Sequence, residues 1–181
     1  MNDAFVVHGD GFRFDCTDRT YVMGILNVTP DSFSDGGVYL DLEAAVAHGL
    51  QMAEEGADII DIGGESTRPG SKAVTQAEEL QRVLPVIERL SRTLTIPVSI
   101  DTCKAEVARQ AIGAGARIVN DVSGMTADPE MGSTVAKAEV PVILMHAKGT
   151  PEDMQRSPWY KDTISEIKTW LAERIQYAEA A

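Results

Sequence analysis

The chain has little of what announces several common functions. Cys16 and Cys103 are its only cysteines among 181 residues. Two cysteines without a close-spaced pattern make neither a disulfide scaffold nor a zinc site, so two reduced thiols are expected. The histidines are His8, His48 and His146, with no His pair or His–Cys cluster at metal spacing, which argues against zinc. Basic residues are in deficit. Sixteen Lys and Arg against 28 Asp and Glu leave a net charge of −12 and a pI near 4.6. Nucleic-acid binding needs a basic footprint, and so does attraction to anionic membrane, so neither partner is expected. An acidic chain can still take a small phosphorylated ligand, through helix N-termini or a metal. No apolar run approaches the ~18 residues of a membrane span. The opening MNDAFVVHGDGF lacks the basic and long apolar regions of a signal peptide, so a cytoplasmic location is expected.

What is present is enough for a core: 44% of residues are hydrophobic and 24% charged. FVVHGDGFRFD reads as a hairpin turning at Gly9–Asp10–Gly11. A rhythm follows. The apolar runs YVMGILN, DIIDIGG, VSID, RIVND and PVILMHA read as strands. Between them, Leu42–Glu55, Gln76–Thr93, Lys104–Gly113 and Pro129–Ala138 read as helices, with a last helix from about Lys161 onward. Strands alternating with helices imply βαβ units and a parallel sheet, and near-continuous apolar strands imply burial on both faces. No linker or low-complexity segment divides the chain, so residues 1–181 read as a single domain.

Two parallel architectures compete, a doubly wound sheet and a (β/α)8 barrel. The G-x-G-x-x-G that opens a dinucleotide-binding sheet is absent, and the first parallel strand ends in Asn27–Val28–Thr29–Pro30 instead. The strand ends decide for the barrel. Asn27, Asp61, Asp101, Asn120 with Asp121, and His146 each sit where a strand gives out, and a barrel gathers those ends at one mouth. Only about five βα units are legible after the hairpin, against eight for closure. The chain also stops within helical sequence. The expectation is therefore a (β/α)8 TIM barrel with an N-terminal β-hairpin, incomplete at its C-terminus.

Two long polar loops stand out, because βα loops usually run ~2–6 residues. The first follows Asn27 in MGILNVTPDSFSDGG. The second is Glu65 onward in DIIDIGGESTRPGS. Long polar loops at a barrel mouth often act as lids, and these are expected to be mobile without ligand. Arg68 can clamp a carboxylate or phosphate. Asp101 can cap the next helix, as can Thr102, or it can accept ligand N–H groups and stabilise a developing cation. Asn120–Asp121 raises the same choice, and the Asn amide suits a heterocycle edge. Met145 is either core or an apolar ligand wall, and His146 reads as a polar wall residue. Lys104 opens a helix and reads as solvated. No Ser–His–Asp set can be assembled.

Together these segments resemble the dihydropteroate synthase family of bacterial folate synthesis. MGILNVTPDSFSDGG and DIGGESTRPGS are similar to its two signature loops, and SIDT, VNDVSG and PVILMHAKGTPEDMQ match further blocks in order and spacing. The resemblance covers essentially the whole chain. It implies a (β/α)8 barrel that condenses p-aminobenzoate with 6-hydroxymethyl-7,8-dihydropterin diphosphate, with Mg²⁺ required. It implies that Asn27 helps hold Mg²⁺ and diphosphate, and that Asp101 and Asn120 bind the pterin between Val122 and Met145. It places Ser66, Thr67, Arg68 and Pro69 near the diphosphate and p-aminobenzoate, with Phe33 and Ser34 covering the latter. Asn27, Arg68 and Asp101 are then the catalytic candidates. A homodimer and sensitivity to sulfonamides are further implications. The family's later Asp-Pro-Gly-Phe-Gly block, Lys-bearing strand end and Arg/His pair do not occur in residues 1–181, so this polypeptide alone is expected to be inactive or badly crippled. Two other functions fit parts of the pattern: a pterin-binding methyltransferase domain, or an inactive half-barrel binding module.

Overall fold

The computed structural model describes residues 5–29, 38–65, 74–149 and 159–181, with backbone alone along 38–41. The hairpin forms as expected, β1 (Val6–Gly9) against β2 (Phe12–Asp15), and Gly11 takes the positive φ of 80° in its turn. Five parallel strands follow: β3 (Met23–Asn27), β4 (Ile59–Gly63), β5 (Val98–Asp101), β6 (Ile118–Asp121) and β7 (Val142–Leu144). They lie side by side in sequence order. The helices are α1 (Val38–Glu54), α2 (Gln76–Thr93), α3 (Ala105–Ala114), α4 (Met131–Ala138) and α5 (Thr163–Ala180). Helix α1 begins a turn earlier than the expected Leu42, across Val38 and Tyr39, whose β-branched and aromatic side chains are weak helix signals. Among the described residues no helix is long and apolar enough to cross a membrane.

Strand alternation divides the sheet into two faces. Leu26, Ile60, Ile62, Val98, Ile100 and Val119 point outward and are buried under the helices, where Val83, Ile87, Leu90, Val107 and Ala111 meet them. Beneath the inward face a smaller cluster joins Ile59, Ile118 and Met23 to Phe12, Phe14 and Tyr21. The hairpin therefore packs on the N-terminal ends of the strands, and the polar residues at the opposite ends stay clear of it. Two inward residues, Ile25 (65% exposed) and Ile143, are uncovered by the described part of the chain.

The turn after β6 is held by Asp121, which is fully buried. Its carboxylate accepts from Ser123 N (2.8 Å), Ser123 Oγ (2.7 Å) and Met125 N (3.0 Å). Gly124 in this turn has φ of 60°, and a Cβ there would stand 2.2 Å from the Trp170 ring of α5. Gly124→Ala combines backbone strain with a ring clash, so a loss of about 1–3 kcal/mol is expected. Thermal unfolding should show it as a drop of several degrees in Tm.

Candidate functional site

The register of the sheet sets four inward positions at one level. Asn27 pairs with Gly63, Gly63 with Asp101, and Asp101 with Asn120. Their preceding residues, Leu26, Ile62, Ile100 and Val119, are all buried on the helix side, so these four face the mouth together. Gly63 leaves the gap between its neighbours. A Cβ built there would meet Asn27 Oδ1 at 3.6 Å and Asp101 Oδ2 at 3.6 Å. Both oxygens thus look into the space that a side chain at 63 would fill.

Among the described residues nothing donates a hydrogen bond to the Asp101 carboxylate. The alternative role, capping α3, belongs elsewhere: Ala105 N donates to Asp128 Oδ2 (2.8 Å), and Lys104 N to Thr102 Oγ1 (3.2 Å). Asp101 is pushed up to about 7. Burial is the main cause, and the charges of Asp61, Glu79, Asp121 and Glu65 add to it. One layer deeper, Asp61 is 3% exposed and accepts from Asn120 Nδ2 at 2.9 Å. That bond turns the Asn120 amide nitrogen inward to the carboxylate and leaves its oxygen for the mouth. Burial holds Asp61 above the ordinary carboxylate value, opposed by the nearby Ser99 hydroxyl and the Asn120 hydrogen bond. The mouth therefore presents acceptor oxygens from Asn27, Asp101 and Asn120. Such a row suits a ring edge rich in N–H donors, or a cation.

Val122 follows directly after β6 and is half-buried, and Met145 follows β7 with 38% exposure. Both stand at strand ends beside Asn120. Phe33, Ser34, Ser66, Thr67, Arg68 and Pro69 lie outside the described residues, as do the greater parts of both long loops.

A family model for pterin binding enzymes matches residues 23–181. The chain belongs to the pterin binding enzyme family. It is 51% identical over 165 residues to a dihydropteroate synthase of Synechocystis sp., covering 91% of this chain and 57% of that one. Among solved structures it is similar to Xanthomonas albilineans dihydropteroate synthase with 4-aminobenzoic acid, with TM-score 0.87 and 52% identity over 97% of this chain and 62% of that one. It is also similar to Yersinia pestis dihydropteroate synthase in a sulfonamide drug complex, with TM-score 0.88 and 43% identity over 97% of this chain and 63% of that one. The chain thus spans about three fifths of the length of these relatives. Its five strands are a partial (β/α)8 barrel of this family, as the strand ends suggested.

Two expectations need correction. His146 is not a wall of the mouth. Its imidazole lies edge-on to Trp170 (ring centroids 5.1 Å apart) and 6.0 Å from Tyr160, on the side where α5 packs. Lys104 is not solvated. Its ammonium reaches Glu79 Oε2 at 2.5 Å and also pairs with Glu65. Glu79 is 1% exposed, on the same face of α2 as Val83, Val86, Ile87 and Leu90. A carboxylate at a core position of an amphipathic helix is the sequence signal for a buried ion pair, and it was legible. Asp61 carries a similar signal, since it lies two residues before Gly63 and so shares its face.

Proposed function

We propose that this chain carries the pterin-reading part of a dihydropteroate synthase. The reaction joins p-aminobenzoate to 6-hydroxymethyl-7,8-dihydropterin diphosphate and yields 7,8-dihydropteroate and diphosphate. The observation that carries this reading is the level row Asn27, Gly63, Asp101 and Asn120, with its unspent acceptor oxygens around a gap. A 2-amino-4-oxo pterin presents ring and exocyclic N–H groups, the donors that such a row needs.

The chemistry follows from the same side chains. The bond between the pterin methylene carbon and the diphosphate oxygen breaks, and diphosphate leaves with the electron pair. The methylene carbon then carries positive charge, spread into the electron-rich ring, and the Asp101 carboxylate stabilises it. The aniline nitrogen of p-aminobenzoate donates its lone pair to form the new C–N bond, and its proton passes to solvent or to the diphosphate. No protein nucleophile is required. Val122 and Met145 flank the ring and exclude water from the cation.

Magnesium belongs to this reading. Among the described residues no group of three His, Cys, Asp or Glu side chains is able to hold a metal, so those residues offer no all-protein cage. Magnesium usually keeps several waters and takes one or two protein oxygens plus substrate phosphates. The Asn27 amide oxygen, turned to the gap, fits as one such ligand. The ion when bound would neutralise the leaving diphosphate. Phe33, Ser34, Ser66, Thr67, Arg68 and Pro69 would cover p-aminobenzoate and the diphosphate from the two loops. A homodimer, a cytoplasmic setting and sulfonamide sensitivity complete the proposal.

The test is direct. With the full-length protein and pterin diphosphate, adding p-aminobenzoate should release diphosphate and produce dihydropteroate, and a sulfonamide should compete with p-aminobenzoate. Pterin binding without diphosphate release would instead support a methyltransferase-type domain and overturn the proposal.

A further inference from the structure

We propose that Lys104 is a positioning residue for the pterin site, tying the end of β4 and helix α2 to the end of β5 and screening two carboxylates from Asp101. The inference rests on the reading of Asp101 as a pterin acceptor.

Lys104 follows Asp101 by three residues. Its ammonium sits between two carboxylates from different elements, Glu65 just past β4 and Glu79 in the first turn of α2. Glu65 is doubly used, because its other oxygen accepts from Val74 N (3.3 Å). Beside it, Arg82 of α2 donates to the Gly64 carbonyl at 2.8 Å. The peptide just beyond Gly63 is therefore fastened from α2 by Arg82 and from the turn between β5 and α3 by Lys104. Those fastenings hold the chain just beyond Gly63, at the edge of the gap between Asn27 and Asp101 described above. Reach alone does not require a lysine here, but charge does. Glu79 is buried, and one of its oxygens has no hydrogen-bond partner among the described residues, so Lys104 is its principal compensation.

Electrostatics points the same way. The charges acting on Asp101 come from Asp61 of β4, Asp121 of β6, Glu79 of α2 and Glu65 after β4, and each disfavours its ionised form. Lys104 is the cation joined to two of these four. Burial pulls its ammonium down, yet the bonds to Glu65 and Glu79 outweigh that and hold it above the ordinary lysine value. It stays charged throughout the neutral range. Without it, Glu65 and Glu79 would bear on Asp101 unscreened and favour its neutral form, the poorer acceptor.

The experiment measures binding of 6-hydroxymethyl-7,8-dihydropterin diphosphate to the full-length protein by calorimetry, with amide hydrogen exchange in parallel. Lys104→Met should weaken binding about tenfold or more, the effect of roughly one pKa unit of charge interaction. Lys104→Arg should restore it to within about threefold, because the cation is kept. The double variant Lys104→Met/Glu79→Gln should recover most of the affinity, and the pH through which affinity rises should move upward in Lys104→Met, a shift that a merely structural role would not produce. Exchange at residues 63–65 and 101–104 should quicken in Lys104→Met. If that variant does not fold, Lys104→Gln, which keeps a hydrogen-bond donor but no charge, serves instead and should show both effects in smaller degree. Unchanged affinity in the variant used, or a double variant no better than Lys104→Met, overturns the proposal. If the unmutated protein binds no pterin, the functional reading fails. The tie then stands on quickened exchange or falls on its absence.

Discussion

Asp101→Asn is expected to cost about ten- to a hundredfold in pterin affinity while making the fold more stable above neutral pH. The two effects have one origin. The native environment raises Asp101 from 3.8 to about 7, chiefly through burial and then through Asp61, Glu79, Asp121 and Glu65. Between those two values the native state keeps a proton that the unfolded chain has released. The native state therefore binds more protons, and stability falls as pH rises through that window. Above about pH 7 the whole penalty is present. An asparagine never ionises and never incurs it. At about 1.4 kcal/mol per pKa unit, discounted because the carboxyl is partly open to solvent, the gain at pH 8 is about 1–3 kcal/mol. At pH 5, where the carboxyl is mostly protonated in the native state, the gain should shrink.

Binding moves the other way. An ionised carboxylate accepts from N–H donors at both oxygens, whereas the amide has one acceptor and a donor that meets donors. A lost charge-assisted hydrogen bond is worth about 1.5–3 kcal/mol, which gives the stated factor. The affinity of the unmutated protein should also rise as pH is raised through about 7, and that rise should be absent in Asp101→Asn. Thermal unfolding at pH 5 and pH 8, with calorimetric titration at both, checks all of this. A variant less stable than its parent at pH 8 would show that Asp101 is not held at a cost.

A carboxylate held at such a cost supports the proposed acceptor role of Asp101. The strands and helices were legible because apolar period and small-residue stops agree with the fold. Gly115 at φ of 117°, for example, closes α3 at Ala114, one residue past the expected Gly113. Asn27, Asp101 and Asn120 were legible as polar residues closing apolar strands. What composition could not resolve was direction. Asn120 and Asp121 are adjacent and chemically alike, but one faces the mouth while the other is buried on the outer face and holds a turn. Only the register, which depends on pairing with Asp101 and Leu144, tells them apart. Lys104 was misjudged for a related reason. Its partners lie 39 and 25 residues away in sequence, on elements that only the barrel's curvature brings together.

The adjacent glycines 63 and 64 should separate function from stability most cleanly. At Gly63 a Cβ makes only ordinary contacts, 3.6–3.7 Å from Asn27 Oδ1 and from Asp101 Oδ2 and Cβ, and its φ is not in the left-handed region. Gly63→Ala should therefore fold, with a Tm within a few degrees of the parent. The methyl group would nonetheless stand between the two oxygens that the ligand must reach, so pterin affinity should fall by about tenfold or more, and Gly63→Val should lose more again. At Gly64 the balance is reversed. A Cβ there would lie 2.8 Å from Val83 Cγ1, 3.1 Å from Glu79 Cγ and 3.3 Å from the Glu79 carbonyl oxygen. Two of these neighbours belong to the buried Glu79, which cannot swing aside without leaving Lys104. Overpacking of this kind costs about 1–3 kcal/mol, so Gly64→Ala should lower Tm by several degrees. Any loss of affinity in that variant should follow from displacement of β4 against α2. Measuring Tm and pterin affinity on both variants places them at opposite corners of one plot. If Gly63→Ala instead kept full affinity, the gap between Asn27 and Asp101 would not be where the ligand sits.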